Sequence, residues 1–310
     1  MSVPDFSDVS KPSDTRASNV QRASFQIPIP AFSDIAKSAN DLLSKDFYHV
    51  AAADLQVKLK TPDGVAVTMK GKNTHDAATS GSVEGKFTAQ QGVTITQGWT
   101  TQKIADTKFE FDNTIAKGLK AEVQNLFSPE SGDKGQKVNF HFKQPAFHTR
   151  AFFDRSAAGN LSAIIDAVAG YEGFLVGGEA GYDVTKAAIT RYSAAIGYQT
   201  PAYTAALTST NNMQVFAASY YHKVNSQVEA GAKTTYDAKS GNTMGLELAT
   251  KYKLDPASFA KAKINDQGIA ALAYNTKVNS GLTFGVGLSL DTKKLNEAGH
   301  KVGTSFVFEG

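Results

Sequence analysis

The sequence contains no cysteine, which excludes disulfide bonds and thiolate chemistry. Its six histidines are scattered and show no metal-ligand spacing. The most apolar segments, such as 174–176 and 269–273, are far shorter than the roughly 20 residues that a membrane-spanning helix needs. The N-terminus has no apolar core followed by a small-residue cleavage site, so a secretory signal peptide is not indicated. The formal net charge of +3 is too small to indicate nucleic-acid binding.

The sequence also lacks the residue patterns of an active site. We find no paired carboxylates, no nucleophile elbow and no phosphate loop of the Gly-x-x-x-x-Gly-Lys type. Segment 117–120 (KGLK) is better explained by a turn glycine entering a strand than by nucleotide binding, and Gly285 and Gly287 lack the third glycine of a dinucleotide site. No enzyme activity, cofactor or metal is therefore predicted.

From about residue 48 to the end, apolar and polar residues alternate in short runs separated by Gly, Asn, Asp, Ser and Pro. Such runs are typical of β-strands joined by turns. In the first run Leu55, Val57 and Leu59 alternate with polar residues, and the last clear run is 302–308. We count about 19 runs, at a spacing that suits barrel strands joined by short turns.

An alternating pattern of this length fits a soluble β-sandwich or barrel with its apolar face inward, or a membrane barrel with its apolar face outward. A barrel of about 19 strands has a wide lumen, which a soluble fold would have to fill with bulky side chains. The second face of these runs is instead rich in Lys, Gln, Asn, Thr and Gly. The pattern therefore favours an all-β transmembrane barrel with a wet lumen over residues 47–310.

The segment before the strands, residues 29–46, predicts one amphipathic helix. Apolar residues recur at spacings of three and four over 31–45, and Pro30 stands just ahead of them. This helix lies either on the membrane surface or inside the lumen, where it narrows the pore. Residues 1–28 are polar and aperiodic, and we expect a disordered extension. Within it, residues 3–11 (VPDFSDVSK) nearly recur as residues 29–37 (IPAFSDIAK).

Six short runs carry a resemblance to a known family. They are residues 30–43 (PAFSDIAKSANDLL), 117–120 (KGLK), 171–178 (YEGFLVGG), 181–184 (GYDV), 221–225 (YHKVN) and 300–303 (HKVG). In this order they resemble the eukaryotic mitochondrial porins, the voltage-dependent anion channels, and especially the fungal members. The resemblance covers nearly everything from residue 29 to residue 310.

The resemblance implies a barrel of nineteen strands whose first and last strands pair in parallel, with the N-terminal helix in the lumen. It implies a voltage-gated, weakly anion-selective channel through which adenine nucleotides, phosphate, organic anions and ions diffuse across the mitochondrial outer membrane. The chain is then a multi-pass membrane protein and not an enzyme. Its implied partners are membrane lipid and sterol, the permeating anionic metabolites and further copies of the chain in a homo-oligomer, with no nucleic acid.

Selectivity in a wide pore comes from the field of fixed charges along its wall. Alternation places a set of lysines inward, against fewer acids such as Glu84, Glu122 and Glu229, and the helix adds two more lysines. The predicted pore-lining lysines are Lys37, Lys45, Lys58, Lys60, Lys86, Lys120, Lys137, Lys143, Lys233, Lys261 and Lys263. Their excess predicts a weak preference for anions.

The last strand also resembles the sorting signal of mitochondrial outer-membrane barrels, which has a polar residue, a glycine and two hydrophobic residues at alternate positions. The matching residues are Lys301, Gly303, Phe306 and Phe308. Where animal members carry a membrane-facing glutamate, this chain has Gln97, so regulation ascribed to that acid is not expected here. Three alternatives stay open: a protein-conducting pore of the same barrel superfamily, a soluble β protein that carries a ligand, and a membrane scaffold.

Overall fold

The computed structural model describes residues 27–76, 78–297 and 299–310, and the predicted extension 1–28 lies outside these residues except for Ile27 and Pro28. Nineteen strands account for most of the described chain. The strands are β1 (Ala53–Lys60), β2 (Ala66–Asn73), β3 (Thr79–Gln90), β4 (Val93–Thr100), β5 (Ala105–Asp112), β6 (Leu119–Phe127), β7 (Lys134–Lys143), β8 (Phe147–Arg155), β9 (Leu161–Tyr171), β10 (Phe174–Asp183), β11 (Ala188–Gln199), β12 (Tyr203–Thr210), β13 (Val215–Lys223), β14 (Val228–Asp237), β15 (Asn242–Lys253), β16 (Ser258–Asn265), β17 (Ile269–Asn279), β18 (Leu282–Asp291) and β19 (Lys301–Glu309).

The nineteen strands form one closed sheet. Strands that are consecutive in the chain pair antiparallel, from β1 with β2 to β18 with β19. The ring closes through β1 and β19, which pair in parallel from Ala53↔Thr304 to Lys58↔Glu309. An odd number of strands that alternate in direction forces this parallel contact. Closure gives every strand two hydrogen-bonded neighbours, as the interior of a bilayer requires.

One face of the sheet carries large apolar side chains that remain open to the surroundings. Leu55, Ile196 and Leu272 are each about half exposed, and many others on the same face are similar. A soluble protein rarely leaves so large an apolar surface in water. This face therefore points to lipid and the alternate residues point to the lumen, which confirms the predicted transmembrane barrel. Within the described residues, no helix is long and apolar enough to cross a membrane.

Residues 29–51 run along the inner face of the barrel, and we call them the lumenal segment. The segment contains a 3-10 turn at Phe32–Asp34, the helix α1 at Lys37–Ser44 and a second 3-10 turn at Tyr48–Val50. The first turn packs against β9 and β10, α1 against β13 to β15, and the second turn against β18 and β19. The segment therefore lies along about half of the wall.

The buried core of the protein lies between the lumenal segment and the wall. Its three apolar clusters join Ile29, Ile35 and Ala36 to Val168, Leu175, Ala195 and Ala206; Leu42 and Leu43 to Ala249; and Phe47 to Ala271 and Ala273. Among the described residues, strands β1 to β8 contribute nothing to these clusters. One side of the lumen is thus packed, and the other side is lined by polar side chains.

Two glycines of the wall show how closely the lumenal segment approaches. A Cβ atom at Gly231 would lie 2.9 Å from Cδ2 of Leu42, and one at Gly303 would meet the carbonyl oxygens of Tyr48 and Ala51. Glycine is the residue that lets another backbone or side chain come this close. A larger residue at either position would push the segment off the wall.

The helix α1 is shorter than the helix predicted over 31–45. The segment divides into a 3-10 turn and α1 because Ala36 departs from helical geometry, with φ −99° and ψ 14°. Ala31 precedes the turn and Ala36 precedes α1, and neither supplies a side-chain hydrogen bond as a cap, since alanine is a poor capping residue. Contacts with the wall therefore stabilise the segment more than its local sequence does.

Candidate functional site

The lumen is lined by the residues that alternate with the lipid-facing set. The cross-strand register places all nine predicted wall lysines on this inner face; Lys58, for example, lies beside the outward Leu59 and opposite Thr68. These nine are Lys58, Lys60, Lys86, Lys120, Lys137, Lys143, Lys233, Lys261 and Lys263. Lys37 and Lys45 lie on the lumenal segment. Their contacts divide the eleven lysines into three groups on the wall and a pair on the helix.

The first group forms ion pairs with carboxylates on the wall. The carboxylate of Glu110 forms ion pairs with three lysines, with Nζ–O distances of 3.5 Å to Lys86, 3.1 Å to Lys108 and 3.0 Å to Lys120. Three more pairs complete the group: Lys120 with Glu122, Lys58 with Glu309, and Lys137 with Asp154. Each of these carboxylates offsets part of the positive field that the lysines alone would create.

The second group holds the lumenal segment. Lys233 donates to Oδ1 of Asn40 at 3.0 Å, Lys261 to the carbonyl of Lys45 at 2.6 Å, and Lys263 to the carbonyl of Leu43 at 3.0 Å. Their ammonium groups are therefore occupied by α1 and its C-terminal end.

The third group is the pair Lys60 and Lys143. Among the described residues, neither side chain has an ion-pair partner, and both are exposed to the lumen. These two ammonium groups are free to interact with ions in the pore.

On α1 itself, Lys37 and Lys45 both donate to Asp41, at 3.0 and 2.9 Å. Partial burial tends to raise the pKa of Asp41, but the hydrogen bonds from Lys45 and Lys37 together leave this pKa below its ordinary value. The three side chains thus form a small network along one side of the helix, with the carboxylate charged at neutral pH.

The start of the lumenal segment is held by a buried ion pair that the sequence did not reveal. Arg150 donates to Asp166 from Nε at 3.1 and 3.0 Å and from Nη2 at 2.7 Å, and Nη2 also reaches Oγ of Ser33 at 3.2 Å. The Asp166 side chain is fully buried. Arg150 therefore links the wall to the segment while it neutralises the carboxylate.

The inner face carries acids besides the predicted Glu84, Glu122 and Glu229. Asp106, Glu110 and Asp166 face the lumen together with Lys108 and Arg150. The sequence of strand β5, ADTKFEFD, could have identified three of these five charged residues. Asp106, Lys108 and Glu110 alternate in it with outward residues. The register also places lysines outside the predicted set, such as Lys70, Lys72 and Lys251, on the inner face, so both signs of charge are more numerous there than predicted.

The near-repeat in the sequence matches the positions by which the lumenal segment contacts the wall. Ile29 and Ile35 lie in the first core cluster with Phe32 packed against it, and Ser33 accepts the hydrogen bond from Arg150. The corresponding residues of the first copy are Val3, Phe6, Ser7 and Val9. That copy lies outside the described residues.

The predicted sorting residues lie on both faces of β19. Lys301 and Gly303 point into the lumen, whereas Phe306 and Phe308 point to lipid, with the ring of Phe306 5.2 Å from that of Phe284. The close approach of the lumenal segment gives Gly303 a packing role of its own. The sorting role stays a prediction.

Gln97 lies on the lipid-facing side of β4. Its Oε1 accepts a hydrogen bond from the Thr107 hydroxyl at 2.7 Å, on the neighbouring strand. The amide is therefore neutral and partly satisfied within the outer wall, which avoids the cost of a carboxylate in lipid.

A closed sheet with a lipid-facing exterior and a charged, partly filled lumen defines a membrane pore. A family model described as eukaryotic porin matches residues 29–303. The chain is 60% identical over 282 residues to the mitochondrial outer membrane protein porin of Neurospora crassa. The matched region covers 91% of this chain and 99% of the Neurospora protein. The porin of the same name from Candida albicans is 42% identical over 279 residues, 90% of this chain and 98% of that one.

A further relative, the non-selective voltage-gated ion channel 1 of Saccharomyces cerevisiae, is 37% identical over 283 residues, 90% of this chain and 99% of that protein. The chain belongs to the eukaryotic porin family. It is a voltage-gated diffusion channel of the mitochondrial outer membrane, which it crosses many times, and it is a pore rather than an enzyme.

Proposed function

We propose that the channel passes small metabolites and ions with a weak preference for anions, including adenine nucleotides, phosphate and organic anions. The observation that carries this proposal is an imbalance among the inward charges. Glu110, Glu122 and Asp154 are engaged by cationic partners, whereas Lys60 and Lys143 make no ion pair within the described residues. Glu84 and Glu247 also face the lumen without an ion pair among the described residues, so the imbalance is small and the expected preference is weak.

The preference is weak because the lumen is wide and wet. Fixed charges are screened over a Debye length of about 8 Å at physiological ionic strength, so they act on ions near the wall more than on ions at the centre. The low-dielectric wall around them strengthens the field at close range. Cations therefore still pass, and anions are enriched along the free lysines.

The reversal potential of purified protein in a planar bilayer, under a potassium chloride gradient, tests this proposal. We expect the sign that corresponds to anion preference in the unmodified channel. The double variant Lys60→Glu with Lys143→Glu should move the reversal potential toward cations. Lys134→Glu, at the outer rim of β7, makes the charge change of each single variant outside the lumen, and serves as the control for Lys60→Glu and Lys143→Glu measured one at a time and together. A double variant that matches this control would contradict the proposal.

We further propose that the outer wall binds membrane sterol as well as lipid. A groove of about 560 Å³ lies over strands β15 to β19. Ala260 lies between Tyr252 and Tyr274, and the next outward residue, Ala262, lies between Thr250 and Leu272. The two small side chains leave room for a flat apolar molecule. Ala260→Phe should reduce crosslinking to a photoreactive sterol, whereas Ala218→Phe, on the outer face of β13, should not. Equal crosslinking in both variants would remove the groove as the site.

The same apolar outer wall is the surface on which further copies of the chain can meet, and we propose that the channel forms homo-oligomers in the membrane. Many of its lipid-facing residues are large and apolar, which permits close packing with little buried charge. Chemical crosslinking in liposomes at falling protein-to-lipid ratios tests this. Crosslinked species that vanish in proportion to dilution would show random encounter only.

A further inference from the structure

Three lysines on the wall reach across to one short helix in the lumen. Lys261 donates to the carbonyl oxygens of Lys45 and Asp41, at 2.6 and 3.3 Å, and Lys263 donates to that of Leu43 at 3.0 Å. Lys233 binds the side chain of Asn40 one turn earlier. These contacts join strands β14 and β16 to the C-terminal half of α1.

The C-terminal end of a helix is where such donors are most effective. The last carbonyl groups of a helix have no partner within it, and they carry the negative end of the helix dipole. Lysine side chains near this end satisfy the carbonyls and interact favourably with the dipole. Here the lysines come from the wall rather than from the helix, so the same contacts cap α1 and attach it.

The surroundings of Lys261 differ from those of a residue that meets ions. Lys261 is only 3% exposed, and its ammonium group lies 4.9 Å from the centre of the Phe47 ring. Lys263 lies over the same ring at 4.7 Å. Phe47 comes shortly after α1 and is itself buried, so the two lysines enclose the end of the helix. Lys261 is buried there and Lys263 is partly buried.

We propose that Lys261 and Lys263, assisted by Lys233, are positioning residues that cap α1 from the wall and influence ion passage by fixing this helix. They differ in this from Lys60 and Lys143, whose free ammonium groups face the pore. The inference rests on the proposed ion selectivity only for its effect on permeation. The attachment of α1 itself is a property of the folded chain.

The experiment measures how readily the buried side of α1 becomes exposed. Ala39 is buried on α1, and the chain contains no cysteine, so Ala39→Cys introduces a single thiol. Its reaction with a membrane-impermeant thiol reagent, in protein reconstituted in liposomes, reports detachment of the helix. Lys261→Met together with Lys263→Met should accelerate this reaction at least about tenfold, which corresponds to 1.4 kcal/mol.

Lys251→Met provides the matched control. Lys251 stands directly opposite Lys261 in the register and faces the same lumen, but its ammonium group lies over the ring of Phe259 at 4.1 Å instead of on α1. We expect this variant to leave the thiol reaction unchanged. Reversal potentials are measured on the same samples, so that loss of a charge is separated from loss of a contact.

Three outcomes decide the proposal. Faster reaction in the Lys261 and Lys263 variants, with no change in the control, supports it. Unchanged reaction, with reversal potentials that shift as in Lys251→Met, overturns it and makes these lysines ordinary pore charges. If the double variant fails to fold, each single variant is measured in the same way. A channel without ion preference, whose thiol reaction still responds, would refute the proposed selectivity and leave the capping role intact.

Discussion

Replacing Arg150 with methionine tests how the lumenal segment is held at its beginning. Arg150 donates three hydrogen bonds to the fully buried carboxylate of Asp166 and a fourth to the hydroxyl of Ser33. Removing one partner of a buried ion pair leaves an uncompensated charge and costs about 3–5 kcal/mol. We expect Arg150→Met to destabilise the barrel by about this amount.

The measurement is unfolding in guanidinium chloride of protein refolded into lipid. Trp99 is the single tryptophan of the chain and faces lipid, so its fluorescence reports the barrel in its membrane. Lys137→Met is the control, because its partner Asp154 is 44% exposed and an exposed pair contributes about 0–1 kcal/mol. The double variant Arg150→Met with Asp166→Leu should recover most of the loss, since it removes both charges.

Two results would refute this reasoning. One is a free energy of unfolding that falls equally in Arg150→Met and Lys137→Met. The burial of Asp166 would then add nothing to the cost of losing its partner. The other is a double variant that is less stable than Arg150→Met alone, since the loss would then come from packing and not from the unpaired carboxylate.

Gly231→Ala should destabilise the protein by about 1–3 kcal/mol, because the new Cβ meets Leu42; Gly178→Ala, whose Cβ would lie 3.7 Å from the nearest atom, is the control in the same unfolding assay. The lowered pKa of Asp41 means that its ion pairs stabilise α1 above about pH 4 and weaken as the pH falls further. The reactive thiolate becomes scarcer as the pH falls, so the rate for Ala39→Cys is divided at each pH by the rate of a fully exposed thiol. This relative rate should rise modestly in acid, and Asp41→Asn should remove the rise; a variant that keeps it would assign the pH dependence to another group. Phe306→Ala with Phe308→Ala should reduce insertion into isolated mitochondria, while Val307→Ala on the inner face of β19 should not; equal insertion would end the sorting interpretation.

Alternation along the sequence was sufficient to predict the barrel and the direction of its lysines. A side chain such as Lys58 or Lys143 is placed by its immediate neighbours, because successive residues of a strand point to opposite faces. The strand count comes from the same pattern. These features depend on residues that are adjacent in the chain, and they could be predicted without knowledge of distant contacts.

The contacts that define the site could not be predicted in this way. Ser33 lies 117 positions from Arg150, and Leu43 lies 220 positions from Lys263. No local pattern records such pairs, since they depend on the path of the lumenal segment along the wall. For the same reason alternation predicts Lys261 as a pore-lining charge, whereas the structure buries its side chain against α1.

The parallel contact between β1 and β19 has a consequence for assembly. It joins Lys58 to Glu309, which are 251 positions apart, so the final pairing must wait until the whole chain is available. A chain that stops before Lys301 leaves two unsatisfied sheet edges, the usual starting point for aggregation. The lumenal segment precedes β1 directly and is enclosed by the finished ring. Because the sites on which it packs lie on β9 to β19, the segment reaches its final packing only when these late strands are in place.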